Sequence, residues 1–248
     1  MDDTLQGKVA LVTGAARRLG AAIARRLHAA GANVVIHYRG AESDAVQLEA
    51  QLNGLRKGSA LRLKADLLAP IAPQALIGAA LERWKRLDLL VNCASTFYAT
   101  AVGEIEAAQW EELIGSNLRA PLFLAQTAAP HLAAARGSIV NLADIHAERP
   151  LKGYLVYSVA KAGLAALTRS LALELAPGVR VNAVAPGAIA WPEDGQFGLA
   201  ERERIVATTP LQRIGDPADI AQAVHYLATA PFVTGHLLAV DGGRSLFL

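Results

Sequence analysis

Short apolar runs alternate with longer amphipathic stretches along nearly the whole chain. The apolar runs end near glycine or polar residues, which is typical of buried strands. They predict strands at residues 9–13, 33–37, 61–65, 87–92, 138–142, 179–185 and 236–240. Between them, apolar residues at helical spacing predict helices at residues 19–30, 43–55, 74–86, 109–134, 154–175 and 217–228. Pro121 and Pro130 are expected to break the fourth of these helices.

Strands that alternate with helices of this length form βαβ units around a parallel sheet. The chain is therefore predicted to be a single α/β domain over residues 1–248, built on a Rossmann-type doubly wound parallel sheet. In such a sheet the ligand lies at the carboxyl ends of the strands. The stretch 187–199 contains Pro192, Gly195 and Gly198 and follows a strand on that side, so it is interpreted as a substrate loop.

The composition excludes several classes of function. Hydrophobic residues make up 53% of the chain and aromatic residues only 5%, so aliphatic side chains and alanine must fill the core. The net charge is +2 without any block of five Lys or Arg, so no nucleic-acid partner is expected. The single Cys93 excludes an internal disulfide, and no metal-ligand spacing is found. Without a secretory signal or an apolar run of roughly 18 residues, we expect a cytoplasmic protein away from membranes.

The first strand runs directly into the segment Thr13–Gly20. Gly14 allows a tight turn, and Gly20 allows the first helix to approach the sheet. The amides and partial positive charge of the helix N-terminus suit a pyrophosphate. Two glycines also occur in plain turns, but their position between the first strand and the first helix favours a dinucleotide site.

The end of the second strand indicates which dinucleotide binds. NAD sites place an acid there for the ribose hydroxyls, whereas this chain has His37, Tyr38 and Arg39 and no carboxylate before Glu42. Arg39, with Arg17 from the first turn, is able to pair with a 2′-phosphate through charge-assisted hydrogen bonds. NADPH is therefore the predicted cofactor. The alternative is that Arg39 is only a solvent-exposed loop residue.

Tyr157 and Lys161 lie four residues apart near the start of the long helix predicted at 154–175, so they share one helix face. A phenol has a pKa of about 10, and a neighbouring ammonium lowers it by stabilising the phenolate. Tyr157 is thus predicted to donate a proton to a substrate atom near the one that receives a hydride. Such a pair is frequent by chance, but its position after the fifth strand of a dinucleotide fold favours a catalytic role.

These features together resemble the short-chain dehydrogenase/reductase family over nearly the whole chain. The matching segments are Thr13–Gly20, Asp66-Leu67, Asn92-Cys93-Ala94, Asn117, Tyr157 with Lys161, Pro186-Gly187 and Asp241-Gly242-Gly243. The resemblance implies that Asp66 contacts the adenine side of the cofactor and that residues 92–94 line its channel. It also implies that Asn117 supports a water path to Lys161, whose ammonium holds the nicotinamide ribose. Further implied cofactor contacts are Leu19, His37, Tyr38, Leu67, Pro186, Gly187 and Ile189.

Three departures from the general family pattern are informative. Arg18 replaces the middle glycine of the turn, and Asp144 replaces the serine thirteen residues before Tyr157. Trp191 lies near a position that commonly holds threonine, and we interpret it as a substrate contact. Arg18 and Asp144 resemble the pteridine reductase branch of the family, as do the segments Arg17-Arg18-Leu19-Gly20 and Ser95-Thr96-Phe97-Tyr98.

That resemblance implies NADPH-dependent reduction of a dihydropterin to its tetrahydro form, with a folate as a second substrate type. Phe97 is expected to stack on the flat pterin opposite the nicotinamide, and Arg18 and Ser95 to bind its edge. Reduction of a ring C=N needs a proton on nitrogen, which Asp144, alone or through Tyr157, could deliver. The open alternatives are core packing for Phe97, a helix or turn cap for Asp144, and a loop anchor for Trp191.

Two other functions stay open. Similar enzymes reduce ketones or β-ketoacyl thioesters, but they resemble each other in carrying a neutral hydroxyl at the position of Asp144. A catalytically silent NADP(H)-binding regulator is disfavoured by the intact Asn117, Tyr157 and Lys161. Relatives are commonly tetramers packed through the long helices, and the alanine-rich stretch 160–175 is compatible with the homotetramer that we expect.

Overall fold

Seven short strands form the centre of the molecule because their side chains are mostly apolar and buried. The computed structural model describes residues 4–191 and 197–247. Its strands are β1 (Val9–Val12), β2 (Asn33–Tyr38), β3 (Ala60–Lys64), β4 (Leu89–Asn92), β5 (Ser138–Leu142), β6 (Arg180–Pro186) and β7 (Leu237–Val240). Every residue of β1, β4 and β5 is buried, as expected of a parallel sheet that is covered on both faces.

All neighbouring strands pair in parallel, in the order β3-β2-β1-β4-β5-β6-β7. The order reverses at β1, which pairs with β2 on one side and with β4 on the other. Such a reversal opens a crevice beyond the carboxyl ends of the two central strands. The predicted single-domain, doubly wound α/β fold is confirmed.

Helices cover both faces of this sheet. They are α1 (Arg18–Ala29), α2 (Glu42–Leu55), α3 (Ala72–Trp84), α4 (Ala107–Ile114), α5 (Ala120–Ala135), α6 (Leu155–Glu174), α7 (Leu199–Ala207) and α8 (Pro217–Thr229). Alternate residues of β1 serve the two resulting cores: Ala10 and Val12 pack with α1, α2 and α8, whereas Val9 and Leu11 pack with α3 and α5. This division follows from the period-2 alternation of side chains along a strand.

The helix predicted at residues 109–134 exists, but its predicted breaks are wrong. Pro121 lies in the first turn of α5, where proline is tolerated, and α5 continues through Pro130. The irregularity is instead a π-helical turn at Gly115–Arg119, with Asn117 at its centre. Single π turns inside helices are frequent at functional sites.

The sequence pattern missed one helix, α7. Ile205 is its only buried residue, so it lacks the apolar stripe by which a helix is predicted. It begins at Leu199, where the predicted substrate loop 187–199 ends. Residues 192–196 of that loop, among them Pro192 and Gly195, lie outside the described residues.

Within residues 4–191 and 197–247, no helix combines the length and the apolar character needed to cross a membrane. Over the same ranges, the His, Cys, Asp and Glu side chains form no group of three or more that could hold a metal ion.

Candidate active site

A cavity of about 700 Å³ lies at the carboxyl ends of the strands. Its walls come from the turn after β1, the ends of β2 to β6, the first turns of α6, and α7. Most of the predicted site residues border it: Gly14, Arg17, Arg18, Leu19, Gly20, His37, Tyr38, Arg39, Asp66, Leu67, Cys93, Ala94, Ser95, Phe97, Asp144, Tyr157, Lys161, Pro186, Gly187, Ile189 and Trp191. Asn92 and Asn117 do not border it.

The turn after β1 has the geometry of a phosphate site. Gly14 has a φ of +63°, and a Cβ there would lie 2.8 Å from the Cα of Ala94. A Cβ on Gly20 would lie 2.1 Å from the carbonyl oxygen of Gly14. Arg17 caps α1 without a side-chain hydrogen bond, and the first turn of α1 holds no acid. The first amides of α1 therefore suit an anion.

Arg18 joins this turn to the opposite side of the cavity. Its guanidinium Nη2 donates to the carbonyl oxygen of Ala190, after β6, at 2.9 Å. Its φ is +50°, a left-handed conformation that costs a non-glycine residue about 1–2 kcal/mol. Strained backbone conformations of this kind cluster at functional sites. Glycine would adopt this conformation without strain, but it has no side chain to make the contact with Ala190.

Two exposed arginines stand at the β2 end of the cavity. Arg39 pairs with Glu112 at 3.6 Å, and Arg17 pairs with Asp44 at 3.8 Å. Each arginine side chain is 59% exposed, so these ion pairs contribute little to stability and can exchange for another anion.

The predicted role of Asn92 needs a correction. Its side chain is buried at the end of β4 and donates to Oδ1 of Asn141 at 2.8 Å. The next residues, Cys93 and Ala94, do border the cavity, and both of their amides donate to Oγ1 of Thr13. Asn92 and its register partner Asn141 present their side chains on the same face of the sheet, where they bond to each other, and the cavity begins with the next residues of the chain.

Tyr157 and Asp144 meet in the cavity wall. The Tyr157 hydroxyl donates to Oδ2 of Asp144 at 2.7 Å. The other carboxylate oxygen, Oδ1, accepts the His146 amide at 2.8 Å and so caps the short 3₁₀ turn Ile145–Ala147. Asp144 is thus both a turn cap and a partner of the tyrosine.

Burial, and after it the charge and hydrogen bond of Asp144, raise the pKa of Tyr157 well above its ordinary value. The expectation of a lowered pKa for Tyr157 is wrong, because burial of the phenol and then the charge of Asp144 raise it. Tyr157 is therefore protonated at neutral pH.

Lys161 is buried one helical turn beyond Tyr157. Its Nζ donates to the Leu142 carbonyl oxygen at 2.8 Å and lies 5.5 Å from the centre of the Tyr157 ring. Burial lowers the pKa of Lys161 from 10.5 to about 8, although the charge of Asp144 opposes this shift.

Asn117, in the π turn, binds neighbours other than Lys161. Its Oδ1 accepts the Ser95 hydroxyl at 2.7 Å, and its Nδ2 donates to the carbonyl oxygens of Thr96 and Leu113. Asn117 therefore holds in place the segment after β4, in which Ser95 borders the cavity. The water path to Lys161 stays a prediction.

Aromatic rings line the side of the cavity that lies next to Tyr157. Phe97 stacks on Tyr154 with centroids 4.6 Å apart and meets Tyr157 edge-on at 4.7 Å. Phe197 lies 6.4 Å from Phe97 and 6.1 Å from Trp191. The wall is thus continuous from Tyr157 to the segment after β6.

Sequence reasoning missed several residues of this side. Phe197 had no motif, and Glu201, Arg204 and Ile205 belong to the unpredicted α7. Tyr154, which stacks on Phe97, had no motif either. Arg244 also borders the cavity and anchors α7, because its Nη1 donates to the Ile205 carbonyl oxygen at 3.1 Å and to the Thr208 hydroxyl at 2.9 Å. The only sequence feature that could have pointed to Arg244 was its position directly after Asp241-Gly242-Gly243.

A doubly wound sheet with a Tyr-Lys pair and a phosphate turn at one cavity defines an oxidoreductase site. A family model described as enoyl-(acyl carrier protein) reductase matches residues 14–245. The chain belongs to the short-chain dehydrogenase/reductase family and is an oxidoreductase of that family.

Several named proteins are similar to this chain over nearly their full length. Pteridine reductase 1 of Leishmania tarentolae is 40% identical, covering 96% of each chain. A Streptomyces violaceoruber protein described as ketoacyl reductase 2 of the granaticin polyketide synthase is 38% identical, covering 98% of each. The 3-oxoacyl-[acyl-carrier-protein] reductase of Synechocystis is 36% identical, covering 98% of this chain and 99% of its own. Identity alone therefore does not choose between a pterin and a ketoacyl substrate.

Proposed function

We propose that this chain reduces a dihydropterin to a tetrahydropterin with NADPH. The observation that carries the proposal is the 2.7 Å hydrogen bond from the Tyr157 hydroxyl to Asp144, beside the ring of Phe97. An acid paired with a hydroxyl suits protonation of a ring nitrogen. The likeness to pteridine reductase 1 of Leishmania tarentolae supports this substrate class.

The residues around the turn after β1 fit a dinucleotide. The first amides of α1 have no side-chain cap, and Gly14 lets the turn after β1 lie close against Ala94. Arg17 and Arg39 would hold a 2′-phosphate, and Asp66 would contact the adenine side. When bound, NADPH supplies a hydride to the carbon of the ring C=N.

The nitrogen of the same C=N must gain a proton, so each turnover consumes one NADPH and one proton. Tyr157 holds a proton at neutral pH because its pKa is raised. We assign delivery to the Tyr157–Asp144 pair, which solvent then reprotonates. Lys161 lies near enough to stabilise the phenolate while the proton is away.

Phe97 would stack on the pterin, and Tyr154 already fixes the plane of its ring. Arg18 borders the cavity with hydrogen-bond donors for the pterin edge, and Ser95, whose hydroxyl hydrogen goes to Asn117, offers an acceptor oxygen there. Trp191 borders the same side, through its contact with Phe197.

The test is turnover of purified protein with NADPH and 7,8-dihydrobiopterin, followed by NADPH absorbance and by chromatography of the pterin. We expect one tetrahydrobiopterin per NADPH, and a loss of at least about a hundredfold in Asp144→Asn. That variant keeps an oxygen for the His146 amide, so it isolates the carboxylate. Reduction of acetoacetyl thioester without reduction of the pterin would overturn the proposal in favour of a ketoacyl reductase. Binding of NADPH without any turnover would favour a silent regulator.

A further inference from the structure

His37 lies at the end of β2 with both ring nitrogens bonded to the protein. Its Nδ1 is 3.1 Å from the Gly14 amide, and its Nε2 is 3.1 Å from the Ala65 carbonyl oxygen. Its own carbonyl oxygen accepts the Ala15 amide at 2.8 Å. The side chain is 2% exposed, so water does not compete for these bonds. His37 therefore joins the turn after β1 to the ends of β2 and β3.

These partners determine the protonation of the imidazole. An amide can only donate, so Nδ1 must accept from Gly14, and a carbonyl can only accept, so Nε2 must carry the hydrogen. His37 is therefore neutral, in the Nε2–H tautomer. Burial agrees with this assignment, since it lowers the pKa of His37 below 6.5 against the opposing charge of Asp66.

We propose that His37 is a positioning residue, which holds the Gly14 amide and thereby the turn after β1 in the conformation that receives the cofactor phosphates. This inference rests on the proposed use of NADPH. Both ring nitrogens are occupied, so His37 acts on the turn and not as a ligand of the 2′-phosphate. Without the Nδ1 acceptor the Gly14 amide would lose its partner, and the turn would be free to move away from Ala94.

Three variants separate the two ring nitrogens. His37→Asn places an oxygen where Nδ1 lies and keeps an acceptor for Gly14. His37→Gln reaches the Nε2 position and keeps only the bond to Ala65, and His37→Phe keeps neither. We expect the Kd of NADPH, measured by nicotinamide fluorescence, to rise about tenfold in the Gln and Phe variants and less than about threefold in the Asn variant.

The matched control is His28→Asn. His28 is also buried and its Nε2 is 2.7 Å from the Ser59 hydroxyl, but it does not border the cavity. We expect this variant to lower the melting temperature without changing the Kd of NADPH. An equal rise in Kd for His37→Asn and His37→Gln would overturn the inference, and so would a rise of the same size in the control.

Imidazole ¹⁵N NMR of the cofactor-free protein tests the inference independently of NADPH. We expect the His37 signals of a neutral ring protonated at Nε2 at pH 7. A ring protonated at Nδ1, or at both nitrogens, would contradict it. A wild-type protein with the expected tautomer that fails to bind NADPH would instead overturn the proposed function.

Discussion

At the scale of single residues, the candidate site contains a lysine whose charged form is disfavoured by burial. Lys161 is 2% exposed, and burial lowers its pKa from 10.5 to about 8. When the pKa of a lysine is lower in the folded than in the unfolded state, the charged lysine reduces the free energy of unfolding. The neutral lysine carries no such penalty. The penalty is therefore fully present below about pH 8 and disappears as the pH rises to 10.5.

Lys161→Met is expected to raise the free energy of unfolding at pH 7 by about 1–3 kcal/mol, because it removes this charge and keeps the apolar stem. The gain should shrink between pH 8 and 10.5. Urea unfolding at several pH values measures it, with the exposed Lys152→Met as control. A gain that does not change over this pH range would show that the ammonium carries no burial penalty.

In the proposed function, Arg39 determines the preference for NADPH over NADH. Arg39→Ala is expected to raise the Kd of NADPH about tenfold and to leave that of NADH within about twofold, because a charge-assisted bond to the 2′-phosphate is lost. Calorimetric titration with each dinucleotide measures both constants.

The control for this prediction is Arg169→Ala. Arg169 is a similarly exposed arginine, ion-paired with Glu148 at 3.4 Å and not bordering the cavity. An equal effect of Arg39→Ala on NADPH and NADH would refute the 2′-phosphate assignment.

The residue scale is also where sequence reasoning was weakest. The spacing of Tyr157 and Lys161 predicts that they share a helix face, but the pKa of Tyr157 depends first on its burial and then on Asp144, which lies on another element. The motif predicts Asn92 as a cavity residue, although its buried side chain bonds to Asn141 of the neighbouring strand. Both errors concern tertiary neighbours, which local sequence does not contain.

At the scale of elements, the strands were predictable because buried parallel strands are continuous apolar runs. The strand predicted at residues 9–13 corresponds to β1 at Val9–Val12, and the strand predicted at 138–142 corresponds to β5 at Ser138–Leu142. Helix α7 was not predictable, since it buries only Ile205. The π turn at Gly115–Arg119 left no signal stronger than the proline that follows it.

The anchoring of α7 gives a prediction at this scale. Because Arg244 binds the Ile205 carbonyl oxygen and the Thr208 hydroxyl, Arg244→Met is expected to detach the carboxyl end of α7. Amide hydrogen exchange in α7 should accelerate at least about tenfold, and the KM for the pterin should rise several-fold. The Kd of NADPH should stay within about twofold.

Exchange in α8 is the internal control, since α8 packs against α1 and not on this cavity. Faster exchange in both helices would mean that Arg244 supports the whole fold, and unchanged exchange in α7 would show that Ile205 alone holds it.

At the scale of the whole molecule, topology explains why the site lies where it does. The reversal of strand order at β1 opens the crevice, and the residues that follow β1, β2, β4, β5 and β6 converge on it. This much follows from a pattern of alternating strands and helices. The substrate does not, because relatives with ketoacyl and pteridine reductase names are similarly close. In the proposed function, Asp144 determines that the substrate is a pterin and not a ketoacyl compound.

The most direct test of this claim is the ratio of kcat/KM for 7,8-dihydrobiopterin to kcat/KM for acetoacetyl thioester, measured with NADPH in the wild type and in Asp144→Ser. The wild-type ratio is expected to exceed one and to fall at least about a hundredfold in the variant, because a serine cannot serve the ring nitrogen as the carboxylate does. A ratio below one in the wild type, or an unchanged ratio in Asp144→Ser, would contradict the account.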